Sequence, residues 1–328
     1  MPPTILVTLS PELQTDFFTR DLRARLADCG NVSYNTDGAM RQDELAERLP
    51  GVDVVVTGWD TPQFDGEVLE AAGDLELLAH TGGSVAGLAS GELYDRGVTV
   101  CSANRVMARF VAEHVLGSVL AAERSIVDSA LSMRAGEYDR DVAGRTLFDA
   151  DVGFVGLGTV GRHLLALLDP FEVNVSVYDP YVSPAALTEH GFASKATLGA
   201  ALASDVVSIH AARTPETVGM IGREELAAIP DGALLVNAAR AELIEQEPLE
   251  AELDSGRIRA ALDVFHDEPL AAENPLRDLE NVQLTPHTAG GRVRTAFTEA
   301  VVGEVERYRD DRALQHEIPR EQYERMTR

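Results

Sequence analysis

Lysine is almost missing. Of the 28 basic residues only Lys195 is lysine, against 54 aspartates and glutamates, and the formal charge is −26. Such a charge repels phosphate backbones and anionic lipid surfaces, so neither a nucleic acid nor a membrane is an expected partner. Two cysteines, Cys29 and Cys101, are too few for a disulfide framework and fit a reducing, cytoplasmic setting. No long apolar run occurs; the longest, Leu164 to Leu168, cannot span a bilayer. The N-terminus lacks a basic segment followed by an apolar one, so no signal peptide is expected. No Cys/His cluster has ligand spacing, and no metal is expected. What remains is a chain with 45% hydrophobic residues, enough for packed cores. Acidity with lysine depletion fits a halophilic protein, because about 1 M salt cuts the Debye length to about 3 Å and screens self-repulsion.

A length of 328 residues suggests two domains of roughly 150 residues each. The pattern alternates β-branched runs with helical stretches, which predicts parallel sheets. Strands are expected at 4–8, 32–35, 52–57, 75–79 and 98–101, with a helix over 11–28. A helix of nearly thirty residues is expected from Val106 to Met133. A second alternation supplies six strands, at 152–155, 173–178, 206–209, 234–237, 260–264 and 282–284, then a last helix over 296–309.

Gly156-Leu157-Gly158-Thr159-Val160-Gly161 is a G-x-G-x-x-G element between a strand and an apolar helix. In that context it signals dinucleotide binding, with the pyrophosphate on free N–H groups at the helix N-terminus. Asp179 ends the next strand, 18 residues beyond Gly161. Its carboxylate suits the adenosine ribose hydroxyls and repels a 2′-phosphate, which favours NAD over NADP.

Three later strand ends carry Asn237-Ala238-Ala239-Arg240, Asp263-Val264-Phe265-His266-Asp267-Glu268 and Thr285-Pro286-His287-Thr288. Together they offer an arginine fork for a carboxylate, a histidine that exchanges a proton near neutral pH, and a carboxylate to orient it. Hydride transfer between a ketone and an alcohol needs that set. His210, at another strand end, is placed beside the nicotinamide, while His114 and His163 read as helix-packing residues.

The joint pattern GLGTVG (156–161), YDPY (178–181), TPET (214–217), VNAAR (236–240), LDVFHDEPL (262–270) and TPHTAGG (285–291) resembles the D-isomer-specific 2-hydroxyacid dehydrogenases over nearly the whole chain. The resemblance implies an α/β fold of two doubly wound parallel-sheet, Rossmann/flavodoxin-like domains with an active-site cleft between them. It implies a discontinuous substrate domain (1–103 plus 292–328) and an NAD-binding domain (104–291). The family's catalytic arginine, glutamate and histidine fall on Arg240, Glu268 and His287. Its cofactor contacts fall on Gly156, Gly158, Thr159, Val160, Gly161, Asp179, His210, Ala238 and Asp263, the last at the nicotinamide carboxamide. Its carboxylate-binding loop falls on Gly82, Gly83 and Ser84. A homodimer that interconverts a small 2-keto acid and a D-2-hydroxy acid is the expectation. An NADH-sensing binding protein and a formate- or phosphite-type dehydrogenase are the alternatives.

The sequence departs from the family at Ala241, where a glycine is usual, at Met107, and at Ala212-Arg213. These positions bear on substrate identity. The resemblance also suggests no C-terminal regulatory domain of the phosphoglycerate dehydrogenase kind. Trp59, the only tryptophan, either walls the substrate cleft or anchors a core, and His80 is a candidate second substrate contact.

Overall fold

The computed structural model describes residues 2–138, 144–187, 191–291 and 293–326. The chain divides into two compact units, Met1–Met107 with Arg292–Arg328, and Ala108–Gly291. Among the described residues, no helix is long and apolar enough to cross a membrane.

The first unit holds a parallel sheet of β1 (Thr4–Val7), β2 (Asn31–Tyr34), β3 (Val54–Thr57), β4 (Leu77–His80) and β5 (Thr99–Ser102), in the order β2-β1-β3-β4-β5. β3 and β4 are buried at every residue, whereas the edge strand β2 is not. Such continuous burial is what apolar runs in a covered parallel sheet require. The expected helix over 11–28 is two helices, Pro11–Phe17 and Arg20–Cys29. Phe18 turns extended, and the Thr19 hydroxyl accepts the Leu22 N–H at 3.2 Å, capping a new helix. The last long helix, Arg294–Arg309, returns to this unit. There Arg25 forks onto the Glu306 carboxylate at 2.9 and 3.0 Å.

The second unit carries seven parallel strands where six were expected: β6 (Asp151–Val155), β7 (Asn174–Tyr178), β8 (Ala193–Lys195), β9 (Val206–Ile209), β10 (Leu234–Asn237), β11 (Arg259–Leu262) and β12 (Val282–Leu284). Their order is β12-β11-β10-β9-β6-β7-β8. The addition, β8, is a three-residue, mostly exposed edge strand without an apolar run. Alternate residues feed two cores, one on each face. Phe154, Leu234 and Val236 face one, and Val155, Val207 and Leu235 the other.

The expected helix over 106–133 is broken into Asn104–Glu123 and Ile126–Ala135, with Ser125 left-handed at φ 46°. Partners from elsewhere take the carbonyls that would continue it. The Arg259 guanidinium donates to Ala122 O at 3.2 Å, and the Arg145 N–H to Glu123 O at 2.6 Å. The Glu123 side chain, itself buried, pairs with Arg259 at 2.6 Å.

Candidate active site

The glycine-rich turn follows β6. Gly156 has φ +91°, and a Cβ there would meet Ala211 N at 2.6 Å, so only glycine closes this turn against the chain leaving β9. Gly158 caps helix Thr159–Leu168. A Cβ at Gly158 would find only His210 O, 3.8 Å away, so the helix N-terminus is open to an approaching group. Thr159 and Val160 are half-buried in its first turn, and Gly161 is buried against Leu157. Asp179, just after β7, uses its carboxylate locally as well: Oδ2 accepts the Leu157 N–H and Oδ1 the Tyr181 N–H, both at 2.8 Å. It therefore ties the glycine turn to the β7 end. An exposed helix N-terminus beside a fixed carboxylate fits a dinucleotide's pyrophosphate and ribose.

His210 lies half-buried beneath this turn, with its ring edge-on to Phe154 at 4.9 Å. Burial pushes its pKa down to about 4, so it is neutral. Among the described residues its Nε2 has no hydrogen-bond partner.

The ends of β10, β11 and β12 bring the catalytic candidates together. Glu268 Oε2 lies 2.7 Å from His287 Nδ1, and its Oε1 accepts the Phe265 N–H at 3.0 Å. Burial works to raise the Glu268 pKa. The hydrogen bond to His287, the Phe265 N–H and the Arg240 charge outweigh it, and the net shift is downward. The half-exposed His287 has its backbone in the left-handed region at φ 50°, pinned by its N–H to Asp263 O at 2.9 Å. Arg240 is half-buried; desolvation lowers its pKa, and it feels both the Glu242 and Glu268 carboxylates. Its guanidinium donates to Ala239 O at 2.6 Å, and Asn237 Nδ2 donates to Arg240 O at 2.8 Å.

Asp263 is almost fully buried. Its Oδ1 takes the Thr285 hydroxyl at 2.6 Å and the Thr288 N–H at 2.8 Å, and its Oδ2 the Ala289 N–H at 2.8 Å. His114, expected only to pack a helix, instead stands 3.3 Å from Thr285 Oγ1 and 3.8 Å from Asp263. These residues and Ala238 line a cavity of about 20 Å³.

In the first unit, Gly82, Gly83 and Ser84 follow β4. His80 is buried, and its Nδ1 lies 3.0 Å from the Thr57 hydroxyl. Burial lowers its pKa to about 4, which makes it a neutral neighbour of the loop. A larger cavity, about 470 Å³, lies at the opposite, N-terminal strand ends, between Asp53, Glu76, Tyr308 and Arg312. Ligands of open α/β sheets bind at the carboxyl ends instead. Among the described residues no group of three His, Cys, Asp or Glu side chains could hold a metal.

The profile described as "D-isomer specific 2-hydroxyacid dehydrogenase, NAD binding domain" matches residues 116–289. The hydroxypyruvate reductase of Thermotoga maritima is 31% identical over 256 residues, 77% of this chain and 82% of that one. The chain belongs to the D-isomer-specific 2-hydroxyacid dehydrogenase family. NAD is the cofactor of its second unit. The D-3-phosphoglycerate dehydrogenase of Mycobacterium leprae is 36% identical over 277 residues, 84% of this chain. The chain spans about half the length (52%) of that relative. The TT0316 protein of Thermus thermophilus superposes with a TM-score of 0.79 at 26% identity, covering 96% of this chain and all of that one.

Proposed function

We propose that the chain is an NAD-dependent oxidoreductase interconverting a 2-keto acid and a D-2-hydroxy acid. The 2.7 Å contact between Glu268 and His287 near the half-buried Arg240 carries the proposal. Glu268 fixes the imidazole through Nδ1, leaving Nε2 to give a proton to the ketone oxygen or take one from the alcohol. Arg240 holds the substrate carboxylate in its planar fork and draws charge from the carbonyl. In the first unit, the backbone N–H groups of the 82–84 loop are the proposed carboxylate contacts. When bound, the nicotinamide supplies or accepts the hydride. The family relatives named a hydroxypyruvate reductase and a D-3-phosphoglycerate dehydrogenase support this chemistry. In the proposed division of labour, 1–103 with 292–328 binds substrate and 104–291 binds NAD.

A cytoplasmic homodimer fits the surface. Helix Ile126–Ala135 has no buried residue, yet Ile126, Leu131 and Met133 are each more than half exposed, at 55%, 57% and 54%. Exposed apolar side chains of this kind on a folded unit suit a second copy. Leu131→Glu should convert dimer to monomer by light scattering; a wild-type monomer would refute the assembly. Both cysteines are free and buried, as a reducing compartment allows.

His287→Ala tests the chemistry. Turnover of a 2-keto acid panel, followed by NADH absorbance, should fall by orders of magnitude while NADH still binds. Unchanged turnover would overturn the assignment, and an inert wild type with tight NADH binding would favour a sensor.

A further inference from the structure

The loop after β3 presents the single tryptophan. Thr61 anchors it: its hydroxyl accepts the Gly58 N–H at 3.0 Å and lies 2.7 Å from the Thr8 hydroxyl. Asp60 accepts the Ser10 N–H at 2.9 Å. Trp59, between these fixed points, is nonetheless 48% exposed. Its orientation is held from behind. Phe17 meets it edge-on with centroids 5.1 Å apart, and the Arg294 guanidinium lies over its ring at 5.2 Å. The Arg294 charge is already engaged by Asp16.

Trp59 also adjoins the 82–84 loop. A Cβ at Gly82 would fall 2.6 Å from Trp59 Nε1 and closer still to His80 Nε2, so the indole and the imidazole fill the space a side chain would take. Gly83 looks instead toward Met107 Sδ, 3.0 Å from where its Cβ would be, and toward Asn104 Oδ1 at 3.7 Å. The groups nearest these two glycines are an indole, a neutral imidazole, a thioether and an amide, and the Arg294 cation behind the indole is engaged by Asp16. A phosphorylated side group would find no free counter-charge among these groups, since the Arg294 charge is engaged by Asp16. A flat apolar group would cover the exposed indole.

The geometry points to Trp59 as a specificity-determining residue that selects 2-keto acids with an uncharged, flat or apolar side group and rejects phosphorylated ones. The inference rests on the oxidoreductase function proposed above. It sets the chain apart from the relatives named D-3-phosphoglycerate dehydrogenase.

Trp59 is the sole tryptophan, so its emission reports on this surface alone. Titrating the NAD-loaded enzyme with D-phenyllactate should shift or quench that emission saturably, and D-3-phosphoglycerate should not. In turnover, phenylpyruvate should exceed phosphohydroxypyruvate in kcat/KM by about tenfold or more. Trp59→Ala should lower the phenylpyruvate-to-pyruvate ratio of kcat/KM about tenfold, and Trp59→Phe should restore most of it. Preference for the phosphorylated acid, or an equal loss on both substrates in Trp59→Ala, would overturn the inference. If some keto acid turns over through His287 without these effects, the Trp59 inference falls alone. If none turns over, the oxidoreductase assignment falls with it.

Discussion

Asp263 Oδ2 accepts the Ala289 backbone N–H at 2.8 Å, two residues beyond His287. With Thr285 and Thr288 on Oδ1, one buried carboxylate braces the segment that carries the proposed acid/base. The family resemblance gives Asp263 a cofactor contact; the geometry adds a load inside the protein.

Asp263→Asn should therefore harm more than cofactor binding. Asparagine brings an NH2 to a place where three donors already converge, leaving at least one buried donor unpaired at a cost of about 1–3 kcal/mol. The expected result is a lower melting temperature and a kcat reduced at least tenfold. The Kd for NADH, measured separately by fluorescence, should change less than kcat. A loss confined to NADH affinity, with kcat and stability intact, would show that the brace does not matter.

Glu268 stays ionised across the neutral range, because the His287, Phe265 and Arg240 interactions together outweigh its burial. A carboxylate at 2.7 Å stabilises the imidazolium that must donate in ketone reduction. Glu268→Gln keeps an acceptor but removes the charge. Its kcat/KM for reduction should fall about tenfold at pH 8 and less at pH 6, where protons are more available. A deficit of the same size at both pH values would mean that Glu268 only orients the ring.

His80 and His210 give the fold an acid limit. Both are desolvated and neutral, with pKa values of about 4 against 6.5 when unfolded. The unfolded chain then binds more protons between pH 6.5 and 4, so stability is full above 6.5 and declines as pH falls toward 4. Each histidine should contribute up to ~1.4 kcal/mol of loss per pH unit within that window. Denaturant midpoints at pH 7, 6 and 5 measure it, above the range where most carboxylates titrate. His210→Gln should flatten the slope; an unchanged slope would remove His210 from the account.

Much of this could be read in advance because local signals agreed. Gly156, Gly158 and Gly161 sit between a strand and an apolar helix, and Arg240, Glu268 and His287 follow successive strands in order. What could not be read came from distant partners. The break at Ser125 depends on Arg145 and Arg259 taking the preceding carbonyls, which no helical periodicity encodes. The break at Thr19 is local, but a threonine within an amphipathic pattern does not announce that it will cap. β8 is too short and polar to leave a period-two signal. His114 joined Thr285 and Asp263 only once β11 and β12 were laid beside its helix.

The acidic surface yields the last prediction. At a charge of −26 the folded chain repels itself, and the opposing surface ion pairs, such as Arg41 with Asp43 and Arg320 with Glu324, are exposed. Exposed pairs of this kind contribute about 0–1 kcal/mol each. Salt weakens both effects, but repulsion summed over the whole surface outweighs a few exposed pairs, and at about 1 M the Debye length is only about 3 Å. We expect the melting temperature and keto acid turnover to rise between 0.05 and roughly 1 M KCl. Sodium chloride should act similarly, since screening depends on ionic strength. A melting temperature that falls over this range would remove the halophilic interpretation and leave the Arg240, Glu268 and His287 assignments untouched.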